Sequence, residues 1–205
     1  VDPTRTHVVP FLTYDMYSNF TPDAARLQAT MQRYELRRPY IFYPAQFWPH
    51  KNHKYILDAL CLMAKRGDRV PQLALCGSDK GALALVQSYA SRLGLEEHVA
   101  YCGFVPVEDM PYLYLGSLAL VMPTYFGPTN IPPKEAANLG VAVCYPDFES
   151  FRAQLGERAF YMDLKDPSSL VGILDALLSG DVKPRRPTRD VLDNADEVYL
   201  DVLQA

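Results

Sequence analysis

From Tyr40 onward the chain alternates short apolar runs with longer stretches of helical periodicity, and this alternation constrains the fold more than any other feature. "YIFYPA", "QLALCG", "HVAYCGF", "LALVMPT", "VAVCYP" and "AFYMDL" read as six strands. "KYILDALCLMAKRG" and "GALALVQSYASRLG" read as helices closed by Gly67 and Gly94. "EDMPYLYLGS" reads as a short helix interrupted by proline, "PPKEAANLG" as a helix ending at Gly140, and "DPSSLVGILDALLSG" as the helix after the last strand. The strands are continuous apolar runs rather than alternating ones, as parallel strands covered on both faces are. The pattern predicts an α/β fold, a doubly wound Rossmann-like parallel sheet of about six strands.

The flanks read differently. "TPDAARLQATMQRYEL" predicts a helix over Thr21–Leu36 with Thr21 as N-cap and Pro22 at the first helical position, while "HVVPFL" suits an edge strand or a linker. Residues 183–205 read as a polar, proline-rich linker and a last helix. The division is therefore 1–39 as a linker and helix from a truncated N-terminal half, 40–182 as the main domain, and 183–205 as the tail. The opening "VDPTRTHVVP" has neither a leader pattern nor a convincing start, so the chain is expected to be one half of a longer protein.

Charge and composition narrow the function. A net charge of −4 on 205 residues gives no basic field for nucleic acid. No apolar run approaches the roughly 18 residues of a membrane span. The four cysteines, Cys61, Cys76, Cys102 and Cys144, are widely spaced and read as buried thiols of a reducing compartment.

In the common strand order 3-2-1-4-5-6, the chain leaves strands one and four in opposite directions, opening a crevice at their carboxyl ends. The loops that would line it, "QFWPHKN" and "TYFGPTNIPP", are also the two chemically oddest in the sequence. Gly127, Thr129 and Asn130 permit close backbone approach, the helix opening at Ile131-Pro132-Pro133 directs its positive end at the crevice, and Lys51 faces it with a full charge: a clamp for a diphosphate. Glu135, in the first turn of that helix, can accept from two adjacent hydroxyls, or can simply complement the helix dipole. "GSDKG" after strand two is not a dinucleotide fingerprint. His50 and His53 lack the further ligands of a metal set, and Ser78 and Asp79 lack a histidine for hydrolysis.

At these two loops the sequence resembles the C-terminal, nucleotide-sugar-binding half of GT-B fold glycosyltransferases, the large retaining family 4. The resemblance runs from about Tyr40 to Leu178 and rests chiefly on "HVAYCGFVPVEDMPYLYLGSLALVMPTYF" and "GPTNIPPKEAANLGVAVCYPD". It implies that Glu135 holds the nucleotide ribose and Lys51 the diphosphate, the two residues assigned to catalysis. Backbone groups of Phe104 and Val105 meet the base, and those of Thr129, Asn130 and Ile131 meet phosphate and sugar. Two positions depart from the family pattern. Gly127 stands where a first motif glutamate is usual, and Gln46 where a basic residue is usual.

The resemblance further implies sugar transfer with retention and without a metal or other cofactor. It implies a UDP-, GDP- or dTDP-linked sugar as donor, a glycan or lipid-linked acceptor, and an N-terminal acceptor domain of the same polypeptide. It also implies a cytoplasmic location, with peripheral attachment at the inner face of the membrane through the full-length protein. Trp48, Phe47 and His50 are expected to wall the diphosphate, Trp48 first as a packing anchor between loop and helix. A non-catalytic donor-binding module is the competing reading, favoured by Gly127 and Gln46 and opposed by Lys51 and Glu135. Sugar epimerisation on the same fold is disfavoured, since no matching pair of acids surrounds the donor loop.

Overall fold

The computed structural model describes residues 17, 19–127 and 130–184. Six parallel strands form one sheet: β1 (Tyr40–Pro44), β2 (Gln72–Cys76), β3 (Val99–Gly103), β4 (Ala119–Val121), β5 (Ala142–Pro146) and β6 (Phe160–Met162). Their order is β3-β2-β1-β4-β5-β6, as the sequence predicts. Tyr40 pairs with Gln72 on one side of β1, and Ile41 with Ala119 on the other. Every residue of β2, β4 and β5 is buried, so both faces of the sheet must be covered. The edge strands β3 and β6 are only partly buried.

Among the described residues seven helices accompany the strands: α1 (Ala24–Arg33), α2 (His53–Arg66), α3 (Leu83–Arg92), α4 (Met110–Gly116), α5 (Ile131–Asn138), α6 (Glu149–Leu155) and α7 (Pro167–Ser179). α2 packs against α3 and α7, and α1 packs against α4. Gly67, with φ 76, closes α2 by taking the left-handed conformation that a side chain would oppose.

Three local expectations change. α1 starts at Ala24, not near Thr21, because the Asp23 carboxylate caps it, accepting from the Ala25 and Arg26 N–H groups at 2.8 and 3.3 Å. α3 starts at Leu83 rather than Gly81, since Asp79 Oδ1 accepts from the Gly81 and Leu83 N–H groups and holds the preceding turn. The sequence reading also left out α6, which carries the crossover that two parallel neighbours such as β5 and β6 require. "HVVPFL" and the whole of the tail helix lie outside the described residues.

Candidate active site

Both unusual loops leave the carboxyl ends of the central strands and meet there. The first stays attached to β2 as it leaves β1. The Ala45 N–H donates to Cys76 O at 2.9 Å and the Phe47 N–H to Ser78 O at 3.0 Å. Gly77 permits this approach, for a Cβ there would overlap the Ala45 carbonyl. A short 3-10 turn (Pro49–Lys51) then ends at Asn52, whose φ of 54 swings the chain into α2. The second loop is fastened to the first. Tyr125 N–H donates to the His50 carbonyl at 3.1 Å, the Thr124 hydroxyl donates to the Phe126 carbonyl at 2.8 Å, and the His50 ring stacks on Phe126 at 4.3 Å.

Between them lies a cavity of about 710 Å³, lined among others by Gln46, Trp48, Lys51, Gly127, Asn130 and Ile131. A larger groove, about 920 Å³, opens beside Arg37, Gln72 and Val99 at the amino ends of the strands. That is the wrong end of an open parallel sheet for a ligand, which binds beyond the carboxyl ends.

Lys51 is half-buried, and among the described residues no carboxylate lies within ion-pairing distance of it. Burial lowers its pKa. Burial, then the Lys51 charge, lowers His50 and takes His53 down to about 4, so the lysine supplies the cavity's positive charge at neutral pH. Across the cavity, α5 begins at Ile131. Pro132 and Pro133 carry no N–H, so only those of Asn130 and Ile131 remain of the four a helix start ordinarily offers. That end is therefore poorer in donors than the sequence reading assumed.

Three buried tyrosines fix these groups from below. Tyr43 donates to the Lys51 carbonyl at 2.8 Å, Tyr114 to Glu135 Oε2 at 2.6 Å, and the Asn130 amide donates to the Tyr145 oxygen at 2.6 Å. The sequence reading assigned none of them a role. Their signal was present, however, since a tyrosine inside an apolar run carries a hydroxyl that must find a partner.

Other expected residues fall elsewhere. Glu135 is buried, one helical turn below Ile131, and burial raises its pKa while the bonds from Tyr114 and Tyr17 lower it. Phe104 is 84% exposed beyond β3, Val105 is in the core, and neither borders the cavity. Gln46 accepts from the Trp48 indole at 2.9 Å. Trp48 is no buried anchor: it is 42% exposed and lies nearly parallel to His50. Phe47 sits beneath the wall instead, stacked on His53 at 4.8 Å, because the bridge to Asp79 turns its side chain inward. Thr129 lies outside the described residues. A Cβ on Gly127 would overlap the Asn130 side chain, so the carboxylate that the family pattern would place there requires Asn130 to move.

Among the described residues no three His, Cys, Asp or Glu side chains are grouped to hold a metal ion, and no helix is long and apolar enough to cross a membrane. Cys61, Cys76 and Cys144 are buried and Cys102 is partly so, all as free thiols.

Comparison with known proteins decides the family. Residues 30–194 match the model of glycosyl transferases group 1. The chain belongs to that family. This group 1 glycosyl transferase chain is 26% identical over 155 residues to an O-antigen chain mannosyltransferase B of Escherichia coli, a match covering 75% of this chain and 41% of that protein. It is 29% identical over 123 residues to the O-antigen chain mannosyltransferase RfbU of Salmonella typhimurium, covering 60% of this chain and 33% of the relative. It thus matches less than half the length of either curated relative. Among solved structures, Anabaena HepE in complex with UDP superposes with a TM-score of 0.74 at 16% identity, over 94% of this chain and 53% of HepE. These neighbours place the six-stranded sheet within the GT-B-like fold.

Proposed function

We propose that this chain is the donor-binding C-terminal half of a retaining, metal-independent glycosyltransferase of family 4, with the binding unit over residues 40–182. It takes a hexose-type sugar from a UDP-, GDP- or dTDP-linked donor to a glycan or lipid-linked acceptor in surface polysaccharide synthesis. An N-terminal domain of the same polypeptide supplies the acceptor side, so this half alone binds donor and does not transfer. The observation that carries the reading is Lys51, half-buried and without a carboxylate partner among the described residues, facing the start of α5 across a cavity. HepE, solved with UDP and with UDP-glucose, supports a nucleotide donor, and the O-antigen mannosyltransferase relatives support hexose transfer.

In this reading the bond from the anomeric carbon to the diphosphate oxygen breaks, and the departing negative charge falls toward Lys51 and the Asn130 and Ile131 N–H groups. Gln46, neutral and tied to Trp48, adds no charge. Glu135 accepts from the ribose, outside the diphosphate cavity.

Isothermal titration with nucleoside di- and monophosphates tests this. Lys51→Ala should weaken diphosphate binding roughly ten- to a hundredfold and leave monophosphate binding nearly unchanged. Glu135→Ala should weaken both, by an amount that depends on the ribose hydroxyls. A folded chain that binds no nucleoside diphosphate overturns the reading. A second reading, a non-catalytic donor-binding module, is favoured by Gly127, where a side chain would overlap that of Asn130. Donor turnover by a full-length protein carrying this half separates the two.

A further inference from the structure

Two large rings stand half in water on the lining of the Lys51 cavity. Trp48 is 42% exposed and Phe126 60%, and both border the cavity together with His50. The imidazole joins them: it stacks 6.3 Å from the indole at 23° and 4.3 Å from the Phe126 ring at 18°. Both rings are held. The indole N–H donates to Gln46 Oε1 at 2.9 Å, and the buried Thr124 hydroxyl fixes the backbone of Phe126 by donating to its carbonyl. Apolar area that is fixed and yet open to solvent marks a surface that something covers.

The chemistry of the lining narrows what covers it. Among the described residues Lys51 is the one lining side chain with a full charge at neutral pH, for burial lowers the pKa of His50 and the others are aliphatic, aromatic or amide groups. A diphosphate takes the lysine. Glu135, read as the ribose acceptor, does not border the cavity, so ribose and base lie on that side. The hexose is then the part of a nucleotide sugar left to share the cavity with the diphosphate. A pyranose suits this border. The C–H bonds on one face of its ring pack on an aromatic face, and its hydroxyl rim calls for a few placed polar groups. Gln46 spends its carbonyl oxygen on the indole and keeps both amide N–H groups for such hydroxyls.

We propose that Trp48 and Phe126 form the hexose subsite: the C–H face of the donor's sugar ring packs on them while its diphosphate stays on Lys51. The proposal rests on the reading of this crevice as a nucleotide-sugar site and adds to it the means by which the sugar is held. The rings bind and orient the sugar and take no part in bond breaking.

Trp48 is the only tryptophan of the chain, so its emission, excited where tyrosine does not absorb, reports on this position without any mutation. UDP-glucose and GDP-mannose are titrated beside UDP, GDP and the methyl glycosides of both sugars. A nucleotide sugar that binds should move the emission to shorter wavelength as the indole loses water, and its parent diphosphate should not. By isothermal titration, Trp48→Ala and Phe126→Ala should each bind that nucleotide sugar about three- to tenfold more weakly, with nucleoside diphosphate affinity kept within about twofold. Trp48→Phe, which retains an aromatic face, should recover most of the loss. Equal losses for diphosphate and nucleotide sugar, or an emission shift already complete with the diphosphate, would put the rings on the nucleotide and overturn the proposal while the nucleotide site stands. A shift with methyl glycosides but not with nucleotide sugars would put an acceptor there and overturn it as well, as would binding of diphosphates without nucleotide sugars. If wild type binds neither, the reading of the site fails and takes the proposal with it.

Discussion

Asn130 gives its side-chain amide to the Tyr145 hydroxyl at 2.6 Å, and in doing so turns away from the helix it precedes. An asparagine at an N-cap ordinarily bends back to accept from the first turn. Here Pro132 and Pro133 have removed two of the N–H groups it could serve, and the amide reaches down into the sheet instead. The start of α5 is thereby tied to β5. Tyr145→Phe keeps the ring stacked on Phe151 but leaves a buried amide N–H without its partner. Urea denaturation should register a loss of about 1–3 kcal/mol, and nucleoside diphosphate affinity should fall with it. Wild-type stability in this variant would show that the bond is not holding the loop.

The lysine makes a separate prediction about salt. Binding of a diphosphate to wild type should weaken as ionic strength rises, and Lys51→Ala should show a shallower dependence because screening acts on the missing charge. Parallel slopes in the two proteins would exclude a charge contact at this position.

Position 127 tests the loop by steric means. Gly127→Glu restores the residue type of the family pattern, yet its Cβ would overlap the Asn130 side chain. The expected result is a loss of about 1–3 kcal/mol in stability together with weaker nucleotide binding, as overpacking in a tight region gives. A variant as stable as wild type that binds donor more tightly would mean that the loop readily adopts another conformation.

His53 gives the molecule a pH dependence. Stacked between Tyr43 and Phe47, it is held neutral by burial and then by Lys51, with its pKa down to about 4 against an ordinary 6.5. A depressed histidine binds fewer protons folded than unfolded. Its contribution is therefore complete above pH about 6.5 and is lost as pH falls toward about 4, up to about 3 kcal/mol in all. Denaturant midpoints measured across that window should fall with pH, and His53→Phe should flatten the slope.

Strand order and the meeting of the two loops were legible because each rests on a rule about runs of residues. Buried parallel strands such as "QLALC" are apolar throughout, and the crossover rules leave few ways to connect them. α6 was not legible, since seven residues with only Phe151 and Leu155 buried give too little periodicity to stand out from a loop. The tyrosine contacts were hidden for another reason. The partners of Tyr43, Tyr145 and Tyr114 lie 8, 15 and 21 positions away, so where each hydroxyl lands depends on tertiary neighbours. Trp48 misled in the opposite sense: its size suggested an anchor, while the geometry of a 3-10 turn left it half in water.

The first strand of the sheet in chain order lies in its middle. β1 pairs with β2 on one side and with β4 on the other, and β4 follows 75 positions after Pro44. As the chain leaves the ribosome, β1, β2 and β3 can assemble while the other edge of β1 still lacks its neighbour. That edge belongs to Tyr40, Ile41, Phe42 and Tyr43, all without exposed surface in the finished fold. Until Ala119–Val121 emerges, the nascent half-sheet presents an unpaired apolar border to other chains. Protein stopped between β3 and β4 should be the most aggregation-prone length of the series, and the part of its synthesis most dependent on chaperones.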